Sequence, residues 1–421
     1  MEQIVINGGK PLGGSIEISG AKNAVLPLMA TSILTDETVV LKNTPDLADI
    51  ETLSGVLSGH GTAIEKSDIT EYGFSLHLTT NEITSTTAPY ELVRTMRASV
   101  LVLGPLLARM GEAKVSLPGG CAIGARPVDL HIKVMEALGA TIEIEGGYII
   151  ATAKDGLKGA EYTFPIVSVG ATENAVMAGV LADGTTVLKN SAQEPEITDL
   201  IDCLNSMGAK ITMEADEITI IGVNKLSGTT HTVLADRIEA GSFACIAAMM
   251  GAEITLNNIS PKILDVPLDI LQSIGASVST TDNSITVKGG DIHPMDITTS
   301  PYPYFPTDLQ AQYMALLCVA SGTSNIYEKV FENRFMHVPE LTRLGADIEL
   351  DGDRAIIKGV ANLTGAEVMA TDLRASMSLV IAGLYAKGTT KINRIYHLDR
   401  GYAGLENKLS KIGADIKRVK L

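Results

Sequence analysis

The chain has 421 residues, 45% of them hydrophobic, only 4% aromatic and none tryptophan, which is enough apolar side chain to fill two or three cores with small and branched residues. This excludes a disordered or fibrous chain and favours helices packed on sheets, an α/β (α+β) class. The formal net charge of -16 excludes the basic footprint of a nucleic-acid binder, so any anionic ligand must be held by a local cluster of arginine and lysine.

The N-terminus, Met1-Glu-Gln-Ile-Val-Ile, has no basic segment followed by an apolar run. The longest apolar stretch, around Ala98 to Leu107, is too short to span a bilayer. Four cysteines, Cys121, Cys203, Cys245 and Cys318, show no CxxC spacing and no histidine pairing, which predicts neither a metal site nor a disulfide framework. A reduced, cytoplasmic protein with no membrane partner is expected.

Along the chain a Gly-Ala or Gly-Thr step follows a helix-like run at Gly61, Gly139, Gly208, Gly275, Gly345 and Gly413, at intervals of 67 to 78 residues. After most steps come two short alternating strands, such as Thr141-Ile-Glu-Ile then Tyr148-Ile-Ile-Ala, or Lys210-Ile-Thr-Met then Glu217-Ile-Thr-Ile, which predicts a hairpin. Upstream of each step lie an Ala-rich helix, a strand such as Thr186-Val-Leu-Lys-Asn, and a second helix. Each unit of helix, strand, helix and hairpin is too small to bury its own faces, so six units must pack together. The sixth unit ends after one hairpin strand, and Gln3-Ile-Val-Ile-Asn-Gly-Gly resembles the missing one. The expected domains are therefore residues 21–235, and residues 1–20 with 236–421, each of three units, with a ligand cleft between them.

Several helix openings carry a charged or small polar residue: Ser19-Gly-Ala-Lys-Asn, Arg94-Thr-Met-Arg, Ser168-Val-Gly-Ala-Thr-Glu, Pro306-Thr-Asp-Leu-Gln and Thr371-Asp-Leu-Arg. Free N–H groups and positive dipole ends make such openings anion-binding surfaces. Cations there oppose the dipole, so Lys22, Arg97 and Arg374 are better explained by a bound anion than by helix stability. A further segment, Leu117-Pro-Gly-Gly-Cys-Ala-Ile-Gly-Ala-Arg-Pro-Val-Asp-Leu-His131, places the Cys121 thiol in a glycine-rich turn five residues before Arg126. A neighbouring guanidinium favours the thiolate.

Together these segments resemble the enolpyruvyl transferases over essentially the whole chain, and the Leu117 to His131 segment is a very specific motif. The resemblance implies an inside-out α/β barrel in each domain. It also implies transfer of the enolpyruvyl group of phosphoenolpyruvate to the 3'-hydroxyl of UDP-N-acetylglucosamine with release of phosphate, the first committed step of peptidoglycan synthesis, without a cofactor. Lys22, Arg126 and Arg400 would hold the phosphate, and Arg334 and Arg374 the carboxylate, because guanidinium groups suit bidentate binding of oxyanions. Cys121 would protonate the enol methylene or add to C2 as a thioether, and would be the thiol alkylated by fosfomycin. Asp308 would take the proton from the sugar hydroxyl; helix capping is its alternative role. Asn23, Arg97, Arg126, Pro127, Val128, Asp129, Leu130, Ser168, Val169, Gly170 and Val330 match family positions that touch the enolpyruvate or the UDP-sugar. Ile166 stands where some members carry a lysine. His397 would position Arg400, and Glu173, Asp372 and Asp399 would orient the cations. Within the same fold, 5-enolpyruvylshikimate-3-phosphate synthase is the competitor, but a thiol at Cys121 has no part in its scheme. A non-catalytic paralogue would lack Cys121, Asp308 or one of the arginines, and all are present.

Overall fold

A computed structural model describes residues 2–94, 96–117 and 128–420, so Cys121, Arg126 and Pro127 lie outside the described residues. The six glycine steps all take the left-handed backbone, with φ between +91° and +118°, which stops each helix and turns the chain into the strand that follows. Antiparallel hairpins follow five of them: Ala63–Ser67 with Gly73–Thr79, Thr141–Glu145 with Tyr148–Thr152, Lys210–Glu214 with Glu217–Ile221, Ser277–Thr280 with Ser284–Lys288, and Asp347–Asp351 with Arg354–Lys358. After Gly413 the single strand Asp415–Lys420 pairs antiparallel with Glu2–Asn7, which also pairs with Thr389–Asn393.

Each hairpin belongs to a four-stranded sheet whose fourth strand the sequence reading lacks. These are the short segments Gly14–Glu17, Thr87–Ala88, Glu161–Thr163, Thr229–Thr232, Ile297–Thr298 and Glu367–Met369, each parallel to its neighbour. Parallel pairing requires a crossover, and in four sheets the apolar helix between the two strands supplies it. In the other two the partners come from distant parts of the chain, Gly14–Glu17 with Glu253–Asn257 and Thr229–Thr232 with Thr38–Pro45. Strands of two to four residues are too short to show alternation.

The chain forms two compact units, one of residues 2–19 and 235–420, the other of residues 20–117 and 128–234. In each, three helices are largely buried: Lys22–Ala30, Leu103–Met110 and Val169–Gly179 in one, and Arg237–Met249, Gln310–Leu317 and Ala375–Tyr385 in the other. A helix apolar all round belongs in an interior, and three sheets cover it by their alternating inward residues. Helices therefore lie inside and sheets outside. The three sheets of a unit stay separate, so no closed sheet barrel forms among the described residues.

Candidate active site

In the 235–420 unit the openings of all three buried helices converge on one guanidinium. Asp236 caps Arg237–Met249, its Oδ1 accepting from the amides of Ile238 at 2.8 Å and Glu239 at 3.0 Å, while its Oδ2 lies 3.7 Å from Arg374 Nη2. Arg374 is the residue before Ala375–Tyr385, and its Nε lies 3.5 Å from Asp308 Oδ2 in the turn that leads into Gln310–Leu317. Arg334 Nη2 takes the other carboxylate oxygen of Asp308 at 2.7 Å. Asp308 is thus held by two arginines, and the residues at the cap positions of its helix turns, Pro306 and Leu309, make no side-chain cap.

Arg374 is 2% exposed, yet Nε, Nη1 and Nη2 have no hydrogen-bond partner among the described residues. The Tyr402 ring lies under it at 5.5 Å. Burial opposes its charge, but Asp236, Tyr402 and Asp308 outweigh burial and hold its pKa above the ordinary arginine value. A buried guanidinium with unused donors is a preformed receptor for a carboxylate or phosphate.

Arg334 is fixed from behind. Its Nη1 donates to Thr307 Oγ1 at 2.9 Å, and Thr307 donates to Glu328 Oε2 at 2.7 Å. Glu328 Oε1 accepts from the amides of Val330 at 2.8 Å and Phe331 at 3.0 Å, which ties the Val330 loop to the Asp308 turn. His337, one turn after Arg334, is fully buried with both ring nitrogens unpartnered among the described residues. Burial, opposed by Asp372 and aided by Arg334, lowers its pKa to about 4. Asp372 Oδ1 accepts from the amides of Arg374 at 2.9 Å and Ala375 at 3.0 Å, so it secures a helix opening and, among the described residues, grips no cation side chain by hydrogen bond. His397 is half-buried, and burial together with Arg394 and Arg400 lowers its pKa. Arg400 follows in the same 3-10 turn, Ile395–Arg400. The expected pairing of Asp399 with the site cations is not found, because Asp399 binds Arg418 through both oxygens at 2.5 and 3.1 Å.

In the unit of residues 20–234, Lys22 opens its helix and pairs with Asp49 Oδ2 at 2.9 Å, both side chains nearly buried. Asn23 follows it, and Arg97 opens the 3-10 turn Arg97–Val102. Ser168 caps Val169–Gly179 by accepting from the amide of Ala171 at 3.4 Å. From that helix Asn174 donates to Val100 O at 2.9 Å and lies 3.1 Å from His131 Nδ1, while Gly104 N donates to Asn174 Oδ1 at 2.7 Å. This amide brings the Arg97, Val128 to His131 and Ser168 segments together. Gly170 lies against the imidazole, since a Cβ there would stand 3.4 Å from His131 Cε1. Burial, then Arg97, lowers the His131 pKa to about 3. Val128 and Leu130 are buried, and Asp129 Oδ1 is buried without a hydrogen-bond partner among the described residues. Ile166 is exposed. Glu173 does not orient a cation as expected: burial, then Glu196 and Glu194, raise its pKa to about 8. Sequence reasoning missed Asp49, Asp236, Glu328, His131 as a packing centre, and Tyr402.

Both buried histidines make a pH-dependent contribution. Their folded pKa values, about 3 and about 4, lie below the ordinary 6.5, so protons bind the unfolded chain first and stability is lost as pH falls below 6.5. Calorimetry should show a melting temperature that falls from about pH 6.5 to 4.5, with a flatter profile in the His131→Gln/His337→Gln double variant. An unchanged slope would assign the acid sensitivity to other groups.

A fold of two units with buried arginines gathered at helix openings defines an anion-handling enzyme. The chain matches the model of the EPSP synthase (3-phosphoshikimate 1-carboxyvinyltransferase) family over residues 6–409 and belongs to that family. Proteins named UDP-N-acetylglucosamine 1-carboxyvinyltransferase from Chelativorans sp. (strain BNC1) and Methylobacterium radiotolerans are each 56% identical to it, over 100% of both chains. Among solved structures, the enolpyruvyl transferase NikO from Streptomyces tendae superposes with a TM-score of 0.89 at 24% identity, covering 100% of this chain and 99% of that one. EPSP synthase from Acinetobacter baumannii superposes with a TM-score of 0.76 at 20% identity over 100% of both chains. These two share the fold. Among the described residues no helix is long and apolar enough to cross a membrane.

Proposed function

We propose that the protein transfers the enolpyruvyl group of phosphoenolpyruvate to the 3'-hydroxyl of UDP-N-acetylglucosamine, releasing phosphate, as the first committed step of peptidoglycan synthesis in the cytoplasm. The observation that carries this reading is the buried Arg374 with unused donors, beside an Asp308 carboxylate that Arg334 also grips. Its support from kinship is the family and the full-length relatives of that name.

Arg334 and Arg374 receive the substrate carboxylate, and Lys22, Arg126 and Arg400 its phosphate. Arg97, Arg126, Pro127, Val128, Asp129, Leu130, Ser168, Val169, Gly170 and Val330 face the sugar nucleotide, with Asn23 beside the enolpyruvate. Once its arginines turn to the substrate, Asp308 is released to accept the sugar hydroxyl proton. Cys121 delivers a proton to the methylene carbon or adds to C2. As phosphate leaves and the methyl carbon gives up a proton to restore the double bond, cations already in place stabilise the negative charge without reorganisation.

The test is phosphate release from phosphoenolpyruvate with UDP-N-acetylglucosamine present, omitted, or replaced by shikimate 3-phosphate, with Cys121→Ala as control. Release that needs both the sugar nucleotide and Cys121 is the expected result. Release only with shikimate 3-phosphate, or tight sugar-nucleotide binding without release, would overturn the proposal.

A further inference from the structure

Tyr402 is 3% exposed and joins residues from all three buried helices of the 235–420 unit. Its hydroxyl lies 3.0 Å from Ser242 Oγ and 3.2 Å from Gln312 Nε2. Ser242 donates its one proton to Ile238 O at 2.7 Å, so its oxygen is left to accept, and the phenol donates to it. Gln312 Nε2 stands 3.2 Å from both Ser242 Oγ and the phenol oxygen, which share one of its protons. The Gln312 amide also donates to the backbone carbonyl of Asp308 at 2.9 Å. The other end of the same side chain, the ring face, lies under Arg374 at 5.5 Å. Burial raises the Tyr402 pKa, which keeps the phenol protonated as this donor pattern requires.

Two glycines let these parts approach. A Cβ on Gly401 would stand 2.1 Å from Leu373 Cδ1 and 3.5 Å from Arg374 Nη1, and one on Gly241 would stand 2.6 Å from Leu309 Cδ1. The residue before Tyr402 and the residue before Ser242 are therefore packed against the chain neighbours of Arg374 and Asp308. A single phenol then touches both partners of the site by different means: one through its π face, the other through a two-bond hydrogen-bonded link.

We infer that Tyr402 is a positioning residue that holds Arg374 by its ring and the Asp308 turn by its hydroxyl, so that the carboxylate grip and the base move as one piece. The inference rests on the function proposed above and adds a residue that touches neither substrate. Its two halves are separable. Tyr402→Phe keeps the ring and cuts the link to Gln312, so kcat should fall about tenfold while KM for phosphoenolpyruvate stays within about twofold; a tenfold change is about 1.4 kcal/mol, the scale of one lost hydrogen bond. Tyr402→Leu also removes the π face, a contact worth about 0.5 to 2 kcal/mol, so KM for phosphoenolpyruvate should rise about two- to thirtyfold in addition. Gln312→Leu should reproduce the phenylalanine phenotype, and combining it with Tyr402→Phe should cost little more than either alone.

The measurement is steady-state phosphate release by wild type and the four variants, with melting temperatures recorded alongside. A wild type that releases no phosphate fails the functional reading itself. A wild type that turns over while phenylalanine and leucine variants change kcat and KM alike, or while the Gln312 and Tyr402 effects simply add, overturns the positioning role alone. Should Tyr402→Leu not fold, the comparison of Tyr402→Phe with Gln312→Leu still decides the hydroxyl half.

Discussion

Asp308→Asn is expected to slow phosphate release by about 10²–10⁴-fold, the range for loss of a positioned general base, without raising KM for phosphoenolpyruvate. The two halves of this expectation have different origins. Turnover falls because an amide cannot accept the hydroxyl proton. Affinity does not fall because Asp308 itself occupies the arginines in the ligand-free protein, Oδ1 with Arg334 Nη2 at 2.7 Å and Oδ2 near Arg374 Nε at 3.5 Å. A substrate carboxylate must replace this internal one. Asparagine removes the competing charge, leaving Arg334 without its carboxylate and Arg374 with Asp236 alone among the described residues, so they gain more from an incoming anion than the wild-type pair does. Kinetics at saturating sugar nucleotide read both numbers at once. If KM rose in proportion to the loss in kcat, Asp308 would be a binding residue and the displacement account would fail.

What the sequence revealed of this arrangement follows from the range of the interactions. The hairpins after Gly139, Gly208 and Gly345 were legible because alternation and a left-handed glycine act within a dozen residues. Lys22, Arg97 and Arg374 were legible as cations at helix openings, since the dipole argument is also local. The parallel edge strands were not, because each is stabilised by a partner strand beyond a helix or far along the chain and carries no pattern of its own. Asp236, Glu328 and Tyr402 were hidden for the same reason: Tyr402 meets Ser242 from 160 positions away, and nothing near Tyr402 in the chain signals a tyrosine under an arginine. Asp399 and Glu173 show the converse error. Sequence proximity to Arg400 suggested a pairing for Asp399, but a strand at the C-terminus delivers Arg418 to it instead. Glu173 lies in the second turn of Val169–Gly179, where burial and two further carboxylates raise its pKa to about 8.

Arg374 separates charge from shape most sharply. Its guanidinium is buried between Asp236 and Asp308 and lies over an aromatic ring, and its donors make no hydrogen bond among the described residues. Arg374→Ala removes the cation and leaves the buried Asp236 carboxylate without its ion partner, while Asp308 keeps Arg334, which should cost about 3–5 kcal/mol in chemical denaturation, the scale for breaking a buried ion pair from one side. Arg374→Lys retains the charge, so most of that stability should return. What lysine cannot restore is the planar fork that meets a carboxylate with two parallel hydrogen bonds. KM for phosphoenolpyruvate should therefore rise by about 10- to 100-fold in the lysine variant, since each charge-assisted hydrogen bond contributes about 1.5–3 kcal/mol. Stability and affinity then respond to different properties of one side chain. A lysine variant as stable as wild type and equally tight for phosphoenolpyruvate would mean that a point charge suffices at this position, and the carboxylate would have to be gripped by Arg334 without it.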